Sequence, residues 1–205
     1  MNTEAAVEES HDAPAPPDLK AEHRRYLETR ALSGLAGPLA EKRAWRSERL
    51  WSWWRYRVGE DRANSFHEAA HAIVNEIRGR YTHFISLVAI RSGAYIIGGY
   101  TTTSATPDAV LPAPPSSSLP SDRENVARAC VELGSGWRGG LRELRRLRKQ
   151  AETMVAENWP LIRLVAQYLS QRRTLNREEF LSILEAHQSQ QFIEIAAHAG
   201  VPNHA

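Results

Sequence analysis

Cysteine is nearly absent from this 205-residue chain, which contains only Cys130. A single thiol cannot form an intramolecular disulfide, and it excludes a metal site built from several cysteines. A free thiol is also typical of a reducing compartment. With 42% hydrophobic and 24% charged residues, the composition is that of a globular protein with room for one well-packed domain.

Long apolar runs are missing as well, since no stretch approaches the ~18 consecutive apolar residues of a membrane-spanning helix. The first residues, MNTEAAVEESHDAPAPPD, are acidic and carry prolines, without the apolar centre of a signal peptide. We therefore expect a soluble, cytoplasmic protein. The net charge is only +2, which by itself does not call for a nucleic-acid partner. No stretch fits GxxxxGK[ST], so a P-loop ATPase is excluded.

The pattern along the chain predicts four parts. Residues 1–18 form a disordered tail, 19–58 a basic, tryptophan-rich helical segment, 59–190 the main folded domain, and 191–205 a C-terminal tail. Within 19–58 the helical pattern is broken near SGLAGP, where glycines precede Pro38. Within the main domain, residues 107–121 are rich in proline and serine and predict a flexible loop.

The main domain is predicted to be mostly α, of the α+β class. Helices are expected at about 61–78, 122–133, 140–157 and 160–170, and a last one begins after Asn176, with Glu179 completing a capping box. The runs FISLVAI and AYIIGGYTTT, separated by RSG, predict one small β-hairpin.

The most informative stretch is SFHEAAHAIVNE, which places His67, Glu68 and His71 in an HExxH pattern. Residues four apart lie on one face of a helix, so both imidazoles can bind one Zn²⁺ ion. Glu68 lies about 100° further round the helix, where it can take a proton from an attacking water molecule without being a ligand. A shuffled chain would contain roughly 0.03 such patterns.

A structural alternative exists for the glutamate. Ser65 and Glu68 have the spacing of a capping box, so Glu68 could instead be tied to the start of the helix. Asp61 offers an earlier cap, however, and a capping box explains neither histidine. The alternative nevertheless predicts a helix that begins at Ser65.

Five stretches resemble the peptidase domain of the FtsH family of ATP-dependent zinc proteases over about residues 61–185. FHEAAHAIV is similar to the family's zinc helix, HEAGHA, and LVAIRSGAYIIGGYTTT to its strand pair ending in Gly-Tyr-Thr. RACVEL, ELRRLRKQAETMV and NWPLIRLVAQYLSQRRTLNREEFLSIL resemble three later helical stretches in the same order. The resemblance implies an FtsH-like fold for 59–190 and a bound Zn²⁺ ion.

The resemblance also implies a third zinc ligand. Glu143 matches the position of the family's ligand aspartate, and zinc accepts either carboxylate. Glu143 could instead pair with Arg146 three residues on, as charges on a solvated helix face do. Glu132 is the reserve candidate for the third ligand.

The function expected from these residues is that of a zinc-dependent metalloendopeptidase. Zinc held by His67, His71 and Glu143 would activate water, and Glu68 would serve as general base. Since the chain lacks an ATPase module, we expect it to cut unfolded or loosely folded polypeptides, or to depend on a separate unfoldase chain. The strand at 94–103 could pair with an extended substrate, and 107–121 could close over it. The sequence does not predict the oligomeric state.

Two other functions remain open. A catalytically inactive relative could keep the scaffold and act through partner binding. Alternatively, HExxH could be incidental in a protein that binds nucleic acid or a membrane surface through residues 42–57, where tryptophans such as Trp45 and Trp53 alternate with arginines. The same segment 45–56 could simply dock on the domain through its apolar stripe.

Overall fold

Six helices and five short strands make up the part of the chain that the computed structural model describes, residues 18–47, 56–88, 90–92, 95–97, 99–106 and 121–198. The helices are α1 (Leu19–Ser47), α2 (Tyr56–Ile77), α3 (Asp122–Leu133), α4 (Trp137–Glu157), α5 (Trp159–Arg172) and α6 (Arg177–His198). The strands are β1 (Tyr81–Ser86), β2 (Ile90–Ser92), β3 (Tyr95–Ile97), β4 (Tyr100–Ser104) and β5 (Thr174–Asn176). The predicted class, mostly helical with a small β element, is confirmed.

Helix α1 runs without a break through Pro38, so the predicted interruption near SGLAGP is wrong. Proline cannot donate a backbone hydrogen bond and costs about 3 kcal/mol inside a helix. Burial offsets this cost, because one face of α1 is fully enclosed by the protein. Its apolar residues that have no exposed surface are Ala31, Leu32, Ala36, Ala40 and Ala44.

The hydrophobic core is shared by α1 and the helices of the main domain. Helix α1 packs against α2, α3 and α4, and α2 also packs against α5. The largest fully buried side chains are Leu32, Ile73, Ile85, Leu147, Ile162, Leu169, Leu175 and Phe180. Segment 19–47, which the sequence separated from the main domain, therefore lies in the same core as the histidine helix.

The three-stranded antiparallel sheet has the order β4-β1-β5, and β2 and β3 form a separate two-stranded sheet. The two predicted strand runs do pair, with Ser86 opposite Tyr100 and Ile90 opposite Ile97. Strand β5 was not predicted. Within the described sheet β4 lies at an edge, with β1 on one side only.

The helix starts in the C-terminal half follow local capping rules. Asn176 Oδ1 accepts from the backbone N–H of Glu179 at 2.9 Å, and the Glu179 carboxylate accepts from the N–H of Asn176 at 3.0 Å. This capping box is confirmed. A second one joins Ser121 and Glu124 at the start of α3.

Some predictions lie outside the described residues. Segment 48–55, which holds most of the tryptophan-rich run, is among them, as are loop residues 107–120 and both tails, 1–17 and 199–205. Trp45 is described and packs, half-buried, against the core. Among the described residues, every helix is either too short or too polar to traverse a lipid bilayer.

Candidate metal centre

His67 and His71 lie one turn apart on α2, with ring centroids 4.7 Å apart and ring planes at 76°. The helix begins at Tyr56, well before Ser65. The Ser65 hydroxyl donates to the carbonyl of Arg62 at 2.6 Å inside the helix. The alternative in which Ser65 caps this helix with Glu68 is therefore wrong, and both histidines belong to one continuous helix face.

The third group at this face is Asp122, the first residue of α3. Its Oδ2 atom lies 2.9 Å from Nε2 of His67 and 3.1 Å from Nε2 of His71. One potential ligand atom from each of the three residues lies within 4.8 Å of the other two. The side chains of His67, His71 and Asp122 are 20%, 10% and 35% exposed. The group is thus shielded, and its more open side is that of Asp122.

The opposite ring nitrogens of both histidines are held by α1. Nδ1 of His71 donates to the main-chain carbonyl of Ser33 at 2.8 Å, and Nδ1 of His67 lies 3.3 Å from Oε2 of Glu41. A hydrogen bond from Nδ1–H to a carbonyl or carboxylate fixes the tautomer that leaves Nε2 free to bind a metal. Both Nε2 atoms face Asp122, as a metal site requires.

Gly37 leaves the space in front of these nitrogens empty. A Cβ atom at this position would lie 2.7 Å from Nε2 of His67 and 2.7 Å from Nε2 of His71. Any side chain here would thus press on both candidate ligand atoms. Helix α1 closes one side of the group, and it can do so because residue 37 has no side chain.

Glu68 points towards the start of β4 rather than into the group of three. It is 6% exposed, and its Oε2 atom accepts a hydrogen bond from the Thr101 hydroxyl at 2.9 Å. A Cβ atom at Gly99 would lie 2.9 Å from Oε1 of Glu68, so the backbone immediately before β4 approaches the carboxylate closely. Its charge is near enough to act on His67. Glu68 therefore lies between the histidine pair and the edge strand.

Hydrogen bonds between the two histidines and the neighbouring carboxylates hold this site together without a metal ion. Burial opposes protonation of His67, but hydrogen bonds to Asp122 and Glu41 outweigh it and raise the pKa of His67 to about 10. Burial would raise the pKa of Asp122, but hydrogen bonds from His67 and His71 lower it well below its usual range. The hydrogen bond from His67 likewise lowers the pKa of Glu41. A positive charge is thus favoured among these carboxylates.

The donor set fits zinc. Two imidazole nitrogens and one carboxylate are the three protein ligands of many hydrolytic zinc sites, with a fourth position left open. Tetrahedral bonds of about 2.0–2.1 Å would place adjacent ligand atoms roughly 3.3 Å apart. The observed separations of 2.9 and 3.1 Å need to widen by only a few tenths of an ångström.

Glu143 and Glu132 are not part of this group. The Glu143 carboxylate accepts from Nε of Arg146 at 2.9 Å, and Arg146 also reaches Glu28 of α1. Glu132 pairs with His23 at 2.6 Å on the surface between α1 and α3. The structure thus places Asp122, and neither glutamate, beside the two histidines.

Asp122 was missed because its local sequence signal concerns only the helix. Ser121 and Glu124 have capping-box spacing, which sets the start of α3 and puts Asp122 in the first turn. An aspartate there is also favoured by the helix dipole. Neither signal tells which other helix faces that turn.

No family model, curated protein or solved structure matches the chain. The protein is a mostly helical chain with a small antiparallel sheet, in which a His-His-Asp group lies beside a buried glutamate.

Proposed function

We propose that this protein is a zinc-dependent metalloendopeptidase, with His67, His71 and Asp122 as its zinc ligands. The observation that carries the proposal is the convergence of both Nε2 atoms on Oδ2 of Asp122, while both Nδ1 atoms are held from α1. Two buried histidines with a purely structural role would have no need to direct both Nε2 atoms at the same carboxylate oxygen. Zinc would supply a Lewis acid that polarises a carbonyl and lowers the pKa of water.

Glu68 is the general base in this proposal. Its carboxylate would take a proton from the water that attacks the scissile carbonyl and would return it to the leaving amine as the C–N bond breaks. The hydrogen bond from Thr101 fixes the orientation of that carboxylate. Glu41 and the carbonyl of Ser33 would keep the two imidazoles in their ligand tautomer.

The substrate in this proposal is an extended, unfolded stretch of polypeptide. Strand β4 is an edge strand within the described sheet, and its Thr101 contacts the general base. A peptide that pairs with this edge would bring its carbonyls past Glu68, with backbone hydrogen bonds supplying affinity independent of sequence. A folded protein could not offer such a strand without prior unfolding.

The resemblance to FtsH peptidases remains a prediction, and the proposed ligand Asp122 departs from the position that the resemblance implies, Glu143. These 205 residues hold no P-loop, so in this proposal any ATP-driven unfolding is supplied from outside them, for instance by a separate ATPase chain. Cytoplasmic action is part of the proposal, and the free, buried thiol of Cys130 is compatible with it.

Hydrolysis of fluorescein-labelled casein, a loosely folded substrate, tests this function. Purified zinc-loaded protein should cleave it, and Glu68→Gln should lose about 10²–10⁴-fold in rate while keeping its zinc. Glu132→Gln is the matched control, since it neutralises a surface carboxylate outside the group and should cleave at the wild-type rate. Cleavage by Glu68→Gln at the wild-type rate would overturn the assignment.

A non-catalytic zinc scaffold is the second candidate, favoured by the burial of Glu68 and its engagement by Thr101. In that case the wild-type protein would hold zinc with full occupancy but would cleave neither casein nor a library of unstructured peptides. Zinc content and cleavage, measured on the same preparation, separate the two functions.

A further inference from the structure

The outer face of α4 carries an unusual combination of exposed apolar and basic side chains. Trp137 is 71% exposed and Leu141, one turn on, is 39% exposed. Val131 of α3 is 37% exposed and abuts Gly140 of α4. A tryptophan left this open on a rigid helix is informative, because its large ring favours burial or an interface.

Basic residues continue the same face of α4. The exposed cations on this face are Arg138, Arg142, Arg145, Arg148 and Lys149, while the exposed Arg146 lies further round the helix and pairs with Glu143 and Glu28. Glu152 is the exposed carboxylate within this arc, and it pairs with Arg148 at 3.2 Å. Five cations against one carboxylate leave an excess of four positive charges, whereas the whole chain has a net charge of only +2. Positive charge is therefore concentrated here.

The packing of the rest of α4 explains why this face is exposed to solvent. Leu147 and Met154, on the side of α4 away from these cations, are buried, and the helix packs against α1 and α3. At the α3–α4 corner, Gly134 and Gly139 meet backbone to backbone with no room for a side chain. This close corner fixes Trp137, the first residue of α4, at the surface.

We propose that this face, made of Val131, Trp137, Arg138, Leu141, Arg142 and Arg145, binds the surface of an anionic lipid bilayer. Tryptophan and leucine would enter the headgroup region while the arginines contact lipid phosphates and carboxylates. The protein would thus lie on the membrane. This inference does not depend on zinc binding or peptidase activity.

The apolar cluster favours lipid over nucleic acid. Contacts with a phosphate backbone need only cations, and base stacking needs a free aromatic ring. Neither accounts for Leu141 and Val131, which are exposed beside Trp137. Three apolar side chains also form too small a patch for a stable protein interface, but they suffice to assist electrostatic binding to a bilayer.

Co-sedimentation of the full chain with vesicles tests the proposal. We expect binding to vesicles of phosphatidylcholine with about 30% phosphatidylserine, weakening as salt is raised, and little binding to phosphatidylcholine alone. Arg142→Gln with Arg145→Gln should lower the partition coefficient about 25-fold, at about fivefold per charge. Trp137→Ala should lower it severalfold.

Matched control variants remove the same kinds of side chain from other surfaces of the protein. Lys20→Gln with Arg25→Gln removes two exposed charges from α1, and Tyr168→Ala removes a 40% exposed ring from α5. Both controls should bind vesicles like the wild type. Circular dichroism checks that every variant is folded, and the altered sites are all at the surface.

Two results would overturn the proposal. The α4 variants could bind vesicles as well as the wild type, which would assign any membrane binding to another surface, such as 42–57. Alternatively, the protein could ignore vesicles but bind a fluorescent single-stranded oligonucleotide in a way that Arg142→Gln with Arg145→Gln abolishes. That outcome would make α4 a nucleic-acid surface.

Discussion

A Cβ atom at Gly37 would lie 2.7 Å from Nε2 of His71, so α1 and α2 reach their observed separation only because residue 37 has no side chain. The space that a methyl group would take lies directly in front of the proposed ligand atoms. Position 37 is thus part of the proposed metal centre, although glycine provides no ligand.

Gly37→Ala should therefore weaken zinc binding by about tenfold or more, since displaced ligands lose affinity on that scale. The helix itself should tolerate the change, because alanine is the better helix former. Competition with a chelating dye measures the dissociation constant, and circular dichroism measures helix content. Unchanged zinc affinity in a folded Gly37→Ala protein would show that α1 does not close the site as described.

The contact between Glu41 of α1 and His67 gives a second test of how α1 supports the proposed zinc ligands. Its carboxylate lies 3.3 Å from Nδ1 of His67, where a negative charge increases the basicity of the ligand. Glu41→Gln keeps the size of the side chain and should weaken zinc binding about tenfold. Glu22→Gln, at an exposed site on the same helix, is the control. Equal zinc affinity in the two variants would argue against a carboxylate–histidine–zinc arrangement.

The stability of the metal-free protein should depend on pH through His67. Its pKa is raised from an ordinary 6.5 to about 10 in the folded protein, so the folded state holds this proton more tightly than the unfolded state. The resulting stabilisation is complete below about pH 6.5 and is lost as pH rises through about 10.

Denaturant unfolding in the presence of a chelator measures this effect. The free energy of unfolding of the wild type should fall between pH 7 and 10 relative to that of His67→Gln, which cannot bind the proton. Lysines and tyrosines titrate alike in both proteins. The difference between the two free energies of unfolding therefore reports the contribution of His67. Parallel pH profiles would mean that His67 is not paired with Asp122 and Glu41 in the metal-free protein.

Features that depend on local sequence were predictable. The bounds of α3 and the capping box of Asn176 and Glu179 follow from side chains within a few residues of each helix start. The pairing of the two β-rich runs and the shared face of His67 and His71 follow from residue spacing alone. Each is decided by periodicity or by a cap.

Features that depend on contacts between distant segments were not predictable. Glycine next to Pro38 is locally a helix breaker, yet here Gly37 serves the close approach of α1 to α2. Asp122 lies 55 residues after His67, and no rule of spacing joins them. The resemblance pointed instead to Glu143, whose contacts in the fold are with Arg146.

Zinc stoichiometry of purified protein, measured by mass spectrometry of the native chain, tests the central claim most directly. Wild type and Glu143→Ala should each hold a single zinc ion per chain, and Asp122→Ala should lose it or bind it far more weakly. Retention of zinc by Asp122→Ala together with its loss from Glu143→Ala would contradict the proposed His67-His71-Asp122 centre, and a wild type without affinity for zinc would contradict the metallopeptidase function itself.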